Sequence, residues 1–237
     1  GSGSEVAAAF AAIDTNTGNA TANVTGTDYT VAQLKAINDA TTGAIVLATP
    51  TANLSGTVSD IKDAFAGTVT THTGTLEITD ADTTDITATD ITSINTTNTG
   101  TITVTNTIDI NGSGSEVAAA FAAIDTNTGN ATANVTGNDY TVAQLKSIND
   151  ATTGAIVLAN AGVALSGNST DIAAAFAGTV TTHTGTVTIV NVDYTAAQLK
   201  AINNATTGAI TLNAALTPLS GHAKDLAAAL AGTINYS

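Results

Sequence analysis

Between Thr30 and Ala40, Val31, Leu34 and Ile37 recur at steps of three, and most of the intervening positions are polar or small. That spacing places the three apolar side chains on one face of an α-helix. Thr30 and Gln33 form a T-x-x-Q capping box ahead of it, and Thr141/Gln144 and Thr195/Gln198 repeat the box. Ser2/Glu5 and Ser113/Glu116 offer a second box before the run VAAAFAAI. Gly67, Gly178 and Gly232 follow AFA or ALA, where a left-handed stop is expected. The predicted helices run about 8–11 residues, too few to be stable without packing.

Each helical pattern gives way to alternation. In GTITVTN, Ile102 and Val104 share one face while Thr101, Thr103 and Thr105 share the other. GTVTIVN repeats this with Val187 and Ile189 inward, and GTLEITD with Leu76 and Ile78 inward. In GAIVLA, Ile45 and Leu47 take the inner positions. Period two and β-branched enrichment read as strands. A helix between every two strands implies parallel pairing through helical crossovers.

The pattern repeats along the chain. Residues 1–48 match residues 112–159 with two differences, Thr27/Asn138 and Ala36/Ser147, at an offset of 111. Phe65, Phe121, Phe176 and Leu230 are spaced 56, 55 and 54, so a unit of about 55 residues lies beneath the longer one. Each unit halves again, with half-units beginning near 1, 29, 54, 83, 110, 140, 165, 194 and 219. The expected fold is therefore α/β: one tandem-repeat solenoid over 1–237, of about nine short helix–strand coils with a parallel sheet. No half-unit can bury its apolar face alone, and stacking near-identical copies solves that. Residue 1 falls inside a repeat, so the chain reads as an excerpt.

Composition narrows the chemistry. The 237 residues contain no Cys, Met, Trp or Arg, and about a fifth are Thr. A core must come from Ala, Val, Ile and Leu, with four Phe and four Tyr. The formal charge of −14 argues against nucleic acid and anionic lipid as partners. No apolar run approaches the roughly 20 residues that span a bilayer, so membrane insertion is not expected. Avoidance of thiols and thioethers suits an oxidising exterior.

Candidate sites are few. The densest acidic segment, TDADTTDITATDIT, carries Asp80, Asp82, Asp85 and Asp90. Hard oxygen ligands close in sequence suit Ca²⁺, although no EF-hand or β-roll pattern accompanies them. A solvated turn capping a helix is the competing reading. Asp28, Asp82, Asp139 and Asp193 all sit where a strand passes into a helix, where a carboxylate is favoured. Tyr29, Tyr140 and Tyr194 immediately precede helix caps and are expected to staple the first turn. His72 and His183 occupy equivalent TTHTG segments and are expected to be loop histidines, too far apart to share a metal. His222 has a different register. The outward Thr rows raise ice or glycan binding as an alternative, with Ala44, Val46 and Ala48 as interruptions. Sequons such as Asn19-Ala20-Thr21 are expected by chance in so Asn- and Thr-rich a chain. There is no G-x-S-x-G elbow, P-loop or H-E-x-x-H; polysaccharide cleavage needs a cationic group beside the carboxylates, and this chain has no Arg and carries its Lys within repeated helices. An enzyme is not expected.

Tandem units such as DYTVAQLKAINDATTGAI and DIAAAFAGTVTTHTGT resemble the repeat regions of very large bacterial surface proteins: adhesins, surface-layer proteins and filament-forming proteins. The resemblance covers the whole chain and is one of composition and repetition. It implies export to the cell surface and a scaffold role, as a stalk, fibre or layer. The implied partners are other copies of the chain, end to end or side by side.

Overall fold

The computed structural model describes residues 1–213 and 218–236, so Ser237 at the end of the expected array lies outside it. The chain is α/β. Among the described residues the helices are α1 (Gly3–Ala11), α2 (Val31–Ala40), α3 (Val58–Ala64), α4 (Ala88–Thr97), α5 (Gly114–Ala123), α6 (Val142–Ala151), α7 (Ser169–Ala175), α8 (Ala196–Ala205) and α9 (Ala223–Ala229). Between them run β1 (Ala22–Val24), β2 (Ile45–Leu47), β3 (Leu54–Gly56), β4 (Leu76–Ile78), β5 (Asp85–Thr87), β6 (Ile102–Val104) and β7 (Asp109–Gly112). Then follow β8 (Thr126–Asn127), β9 (Thr132–Val135), β10 (Ile156–Leu158), β11 (Leu165–Gly167), β12 (Val187–Ile189), β13 (Ile210–Leu212) and β14 (Ile234–Tyr236).

The chain divides into two compact units. The first comprises Gly1–Ile108 and Ala123–Asn130, the second Asp109–Ala122 and Ala131–Ser237. In the first, β1 pairs with β2, and β3, β4, β6 and β8 form a second sheet in that order. In the second, β7, β9 and β10 pair in succession, as do β11, β12, β13 and β14. These pairings are parallel, and each joins residues 22 (Leu54↔Leu76) to 26 (Leu76↔Ile102) positions apart. Helices α1 to α4 pack in sequence order in the first unit, and α6 to α9 in the second.

The predicted faces are observed. Val31, Leu34 and Ile37 are buried, as are Ile45 and Leu47, Leu76 and Ile78, Ile102 and Val104, and Val187 and Ile189. Each such side chain taken from water contributes about 1.5–3 kcal/mol, which is what holds helices of 7–10 residues. The five capping boxes form: Thr30, Thr141 and Thr195 accept from the Gln33, Gln144 and Gln198 N–H groups, and Ser2 and Ser113 from those of Glu5 and Glu116. The reciprocal side-chain bond to the cap N–H is present in each.

The glycine stops behave differently from the sequence expectation. Of the three, only Gly178 has a left-handed backbone, with φ +72°. Gly67 and Gly232 leave space that a neighbour uses: a Cβ there would lie 2.5 Å from Asn38 Oδ1 and 2.3 Å from Asn203 Oδ1, so the amide would have to move. Those asparagines reach forward to the next helix. Asn38, Asn149 and Asn203 each donate to a carbonyl near the end of the following helix, Asp63, Ala174 and Ala228, at 2.8, 2.9 and 3.0 Å. Last-turn carbonyls have no partner within their own helix, so α2, α6 and α8 each help cap the helix that follows.

Candidate functional site

The acidic segment is spread over separate partners. Asp80 is buried, and its Oδ2 accepts from the Val58 N–H at the start of α3 at 2.7 Å. Asp82 Oδ1 accepts from the Thr107 N–H at 2.7 Å. Asp90 pairs with Lys62, Oδ1 to Nζ 2.5 Å. Asp85 is likewise engaged. Among the described residues no group of three or more His, Cys, Asp or Glu is arranged to hold a metal ion. The helix that Asp80 caps precedes it in the chain, so the acid-at-helix-start expectation holds for a residue outside the predicted set. Asp82 serves an N–H in the loop between β6 and β7 instead of a helix. Asp193 accepts from Asn191 Nδ2 at 2.6 Å, which lowers its carboxyl from the ordinary value.

His72 and His183 depart from the loop expectation. Both are fully buried. His72 Nε2 donates to the Ala52 carbonyl at 2.6 Å, and its Nδ1 meets Asn98 Oδ1 at 2.8 Å. His183 Nε2 donates to the Val163 carbonyl at 2.8 Å, and its Nδ1 meets Thr206 Oγ1 at 3.3 Å. Phe65 and Phe176 lie against the rings, centroids 5.7 and 5.3 Å away. Each imidazole thus ties a segment about 20 residues earlier to one about 25 residues later. Burial lowers the His183 pKa, partly opposed by its bond to the Val163 carbonyl. The TTHTG motif alone carries no trace of this, because both partners are distant in sequence.

The tyrosines do more than staple a first turn. Tyr29 and Tyr140 are buried, and their hydroxyls donate to the Thr49 and Asn160 carbonyls, 20 residues on, both at 2.7 Å. Burial raises both phenol pKa values. Tyr194 is also buried. Lysines link successive helices: Lys35 pairs with Asp63, and Lys200 with Asp225 at 2.7 Å. Lys146 turns instead to Asp150 on its own helix at 2.6 Å, since Ala174 stands where the first copy has Asp63. All of these pairs are part-exposed and worth little individually.

Two surface features offer space or regularity. A groove of about 500 Å³ beside α6 is lined by Lys146, Asp150, Asn168 and Asp171, and one of about 450 Å³ beside α8 by Lys200, Asn204, His222 and Asp225. The outward row of β11 to β14 reads Ser166, Thr188, Thr211 and Asn235 in register, without a charge. The row on β3, β4, β6 and β8 reads Ser55, Glu77, Thr103 and Thr126. On β1–β2 the outward pair is Asn23 and Val46. No helix among the described residues is long and apolar enough to cross a membrane. No protein-family model matches the chain, and no curated protein matches it either.

Proposed function

We propose that this is an extracellular structural repeat protein, in which successive helix–strand coils stack as one solenoid to form a stalk, fibre or surface layer. The observation that carries the reading is where the polar groups go. Asn38, Asn149, Asn203, Tyr29, Tyr140, His72 and His183 all bond to main-chain or side-chain groups 20–26 residues away. Those side chains are committed to joining one repeat to the next. A protein whose distinctive polar residues serve inter-repeat joints has geometry as its product. Export is supported by the absence of Cys and Met and by the likeness to bacterial surface repeats. The experiment is antibody labelling of intact and lysed source cells, followed by electron microscopy of the labelled material. Labelling of intact cells on projections or a layer is expected; labelling only after lysis overturns the reading.

A second reading is favoured by one observation, the uncharged in-register row Ser166, Thr188, Thr211 and Asn235. It would make the sheet face a binding surface for ice or glycan. Reshaping of growing ice crystals by dilute isolated protein, or retention on a glycan array, would support it; Thr188→Lys should abolish either.

A further inference from the structure

Within the second unit, β11, β12 and β13 lie side by side in chain order. Their registers are Leu165↔Val187 and Val187↔Ile210, steps of 22 and 23 residues. Each step holds one helix and its turns: α7 lies between β11 and β12, and α8 between β12 and β13. Helices α7 and α8 pack on each other.

The polar bonds sort by joint. Across β11 and β12, the Leu165 N–H donates to the Thr186 carbonyl at 2.9 Å, and the Val190 N–H to that of Gly167 at 3.0 Å. Asn191 Oδ1 accepts from the Ser169 N–H at 2.7 Å, and its Nδ2 donates to Ser169 Oγ at 3.1 Å. Across β12 and β13, the Val187 N–H donates to the Ala209 carbonyl at 2.9 Å, and the Asn213 N–H to that of Ile189 at 3.2 Å. Asn213 Nδ2 donates to the Val190 carbonyl at 2.9 Å.

Interstrand bonds run from strand to strand, so a pull across the sheet loads each joint along its own bonds. Joints in series carry the same force, and the weaker one opens first. Each strand is three residues long, so few bonds resist at once. Opening frees the 22 or 23 residues of one step, and that slack drops the tension on the joint that remains. A stacked repeat leans only on its neighbours, so the loss of one joint leaves the next intact.

We infer that these joints form a tension-yielding device. Under a pull across the sheet, the unit gives up one helix–strand coil at a time and takes it back when the load falls. The released segment stays tethered beside the strand edge it left, so pairing resumes in register. This rests on the structural-repeat reading and adds a mechanical property to it: a stalk or fibre so built lengthens under load instead of breaking.

The test is single-molecule force spectroscopy on the whole chain. The sequence has no Cys, so Ser166→Cys and Thr211→Cys supply unique handles on the outward face of β11 and β13. Opening one joint should lengthen the tether by roughly 70–80 Å, since an extended residue spans 3.3–3.6 Å at most. Two such steps are expected, both reversed on relaxation. Asn191→Ala should lower the force of one step, and Asn213→Ala that of the other. A single rip of roughly 140–160 Å with no stop between overturns the inference. So do steps that fail to reverse, or step forces that neither variant changes. None of these results bears on surface labelling, so the structural reading can survive the failure of this one.

Discussion

Replacing Gly208 by Ala tests how closely the repeats approach. The Gly208 backbone is not left-handed, so the substitution carries no conformational penalty of that kind. Its cost is steric. An added Cβ would lie 1.8 Å from the Gly185 carbonyl oxygen and 2.9 Å from that of Thr184. Carbon and carbonyl oxygen sit comfortably at about 3.3 Å, so the two turns must separate by about 1.5 Å. The ladder bonds beside them are Thr207 N–H to the His183 carbonyl at 2.9 Å, His183 N–H to that of Ala205 at 3.0 Å, and Val187 N–H to that of Ala209 at 2.9 Å. Losing two of these at about 1 kcal/mol each, with some overpacking strain, gives a destabilisation of roughly 2–4 kcal/mol. For a chain of this size that lowers the melting temperature by roughly 4–16 °C. Gly18→Ala is the control, because nothing lies within 4 Å of its added Cβ. It should change stability by less than about 1 kcal/mol. Thermal and urea unfolding followed by circular dichroism read both variants. If G208A melts together with G18A, the repeats are not in backbone contact at this turn and the packing argument fails.

Other predictions follow from the joints. Asn149→Ala removes the 2.9 Å bond to the Ala174 carbonyl, which keeps the Ala177 N–H at 3.2 Å, for a loss of about 0.5–1.5 kcal/mol by urea unfolding. His183 has a lowered pKa in the folded chain because burial disfavours its charged form. The unfolded chain therefore takes up the proton first, and stability should fall as pH drops below about 6.5; His183→Gln should flatten that slope. Glu5, Glu116 and Asp193 are held low by hydrogen bonds from Ser2, Ser113 and Asn191, so a further loss is expected as pH falls below about 4. Asp80, Asp82 and Asp90 are each committed to their own donors, so chelation with EGTA should leave the melting temperature unchanged. A shift on adding Ca²⁺ would show that the segment rearranges around an ion.

The chain's local grammar was legible without coordinates. Capping boxes, three-residue apolar steps and T-x-T alternation depend on neighbours within a few positions, and they marked α2, α6, α8, β4, β6 and β12 along with their buried faces. The copies at offset 111 likewise announced that units recur. The tertiary structure alone decided what the polar residues do. His72 and His183 are interior ties, Asn38 and Asn203 cap the next helix, and Gly67 and Gly232 make room for those amides. Asp80 serves a helix start 22 residues before it. Each of these roles depends on which segment lies alongside, and that follows from a pairing step of 22–26 residues set by the helix and turns between strands. Local pattern encodes which way a side chain faces; only the tertiary structure determines what it finds there.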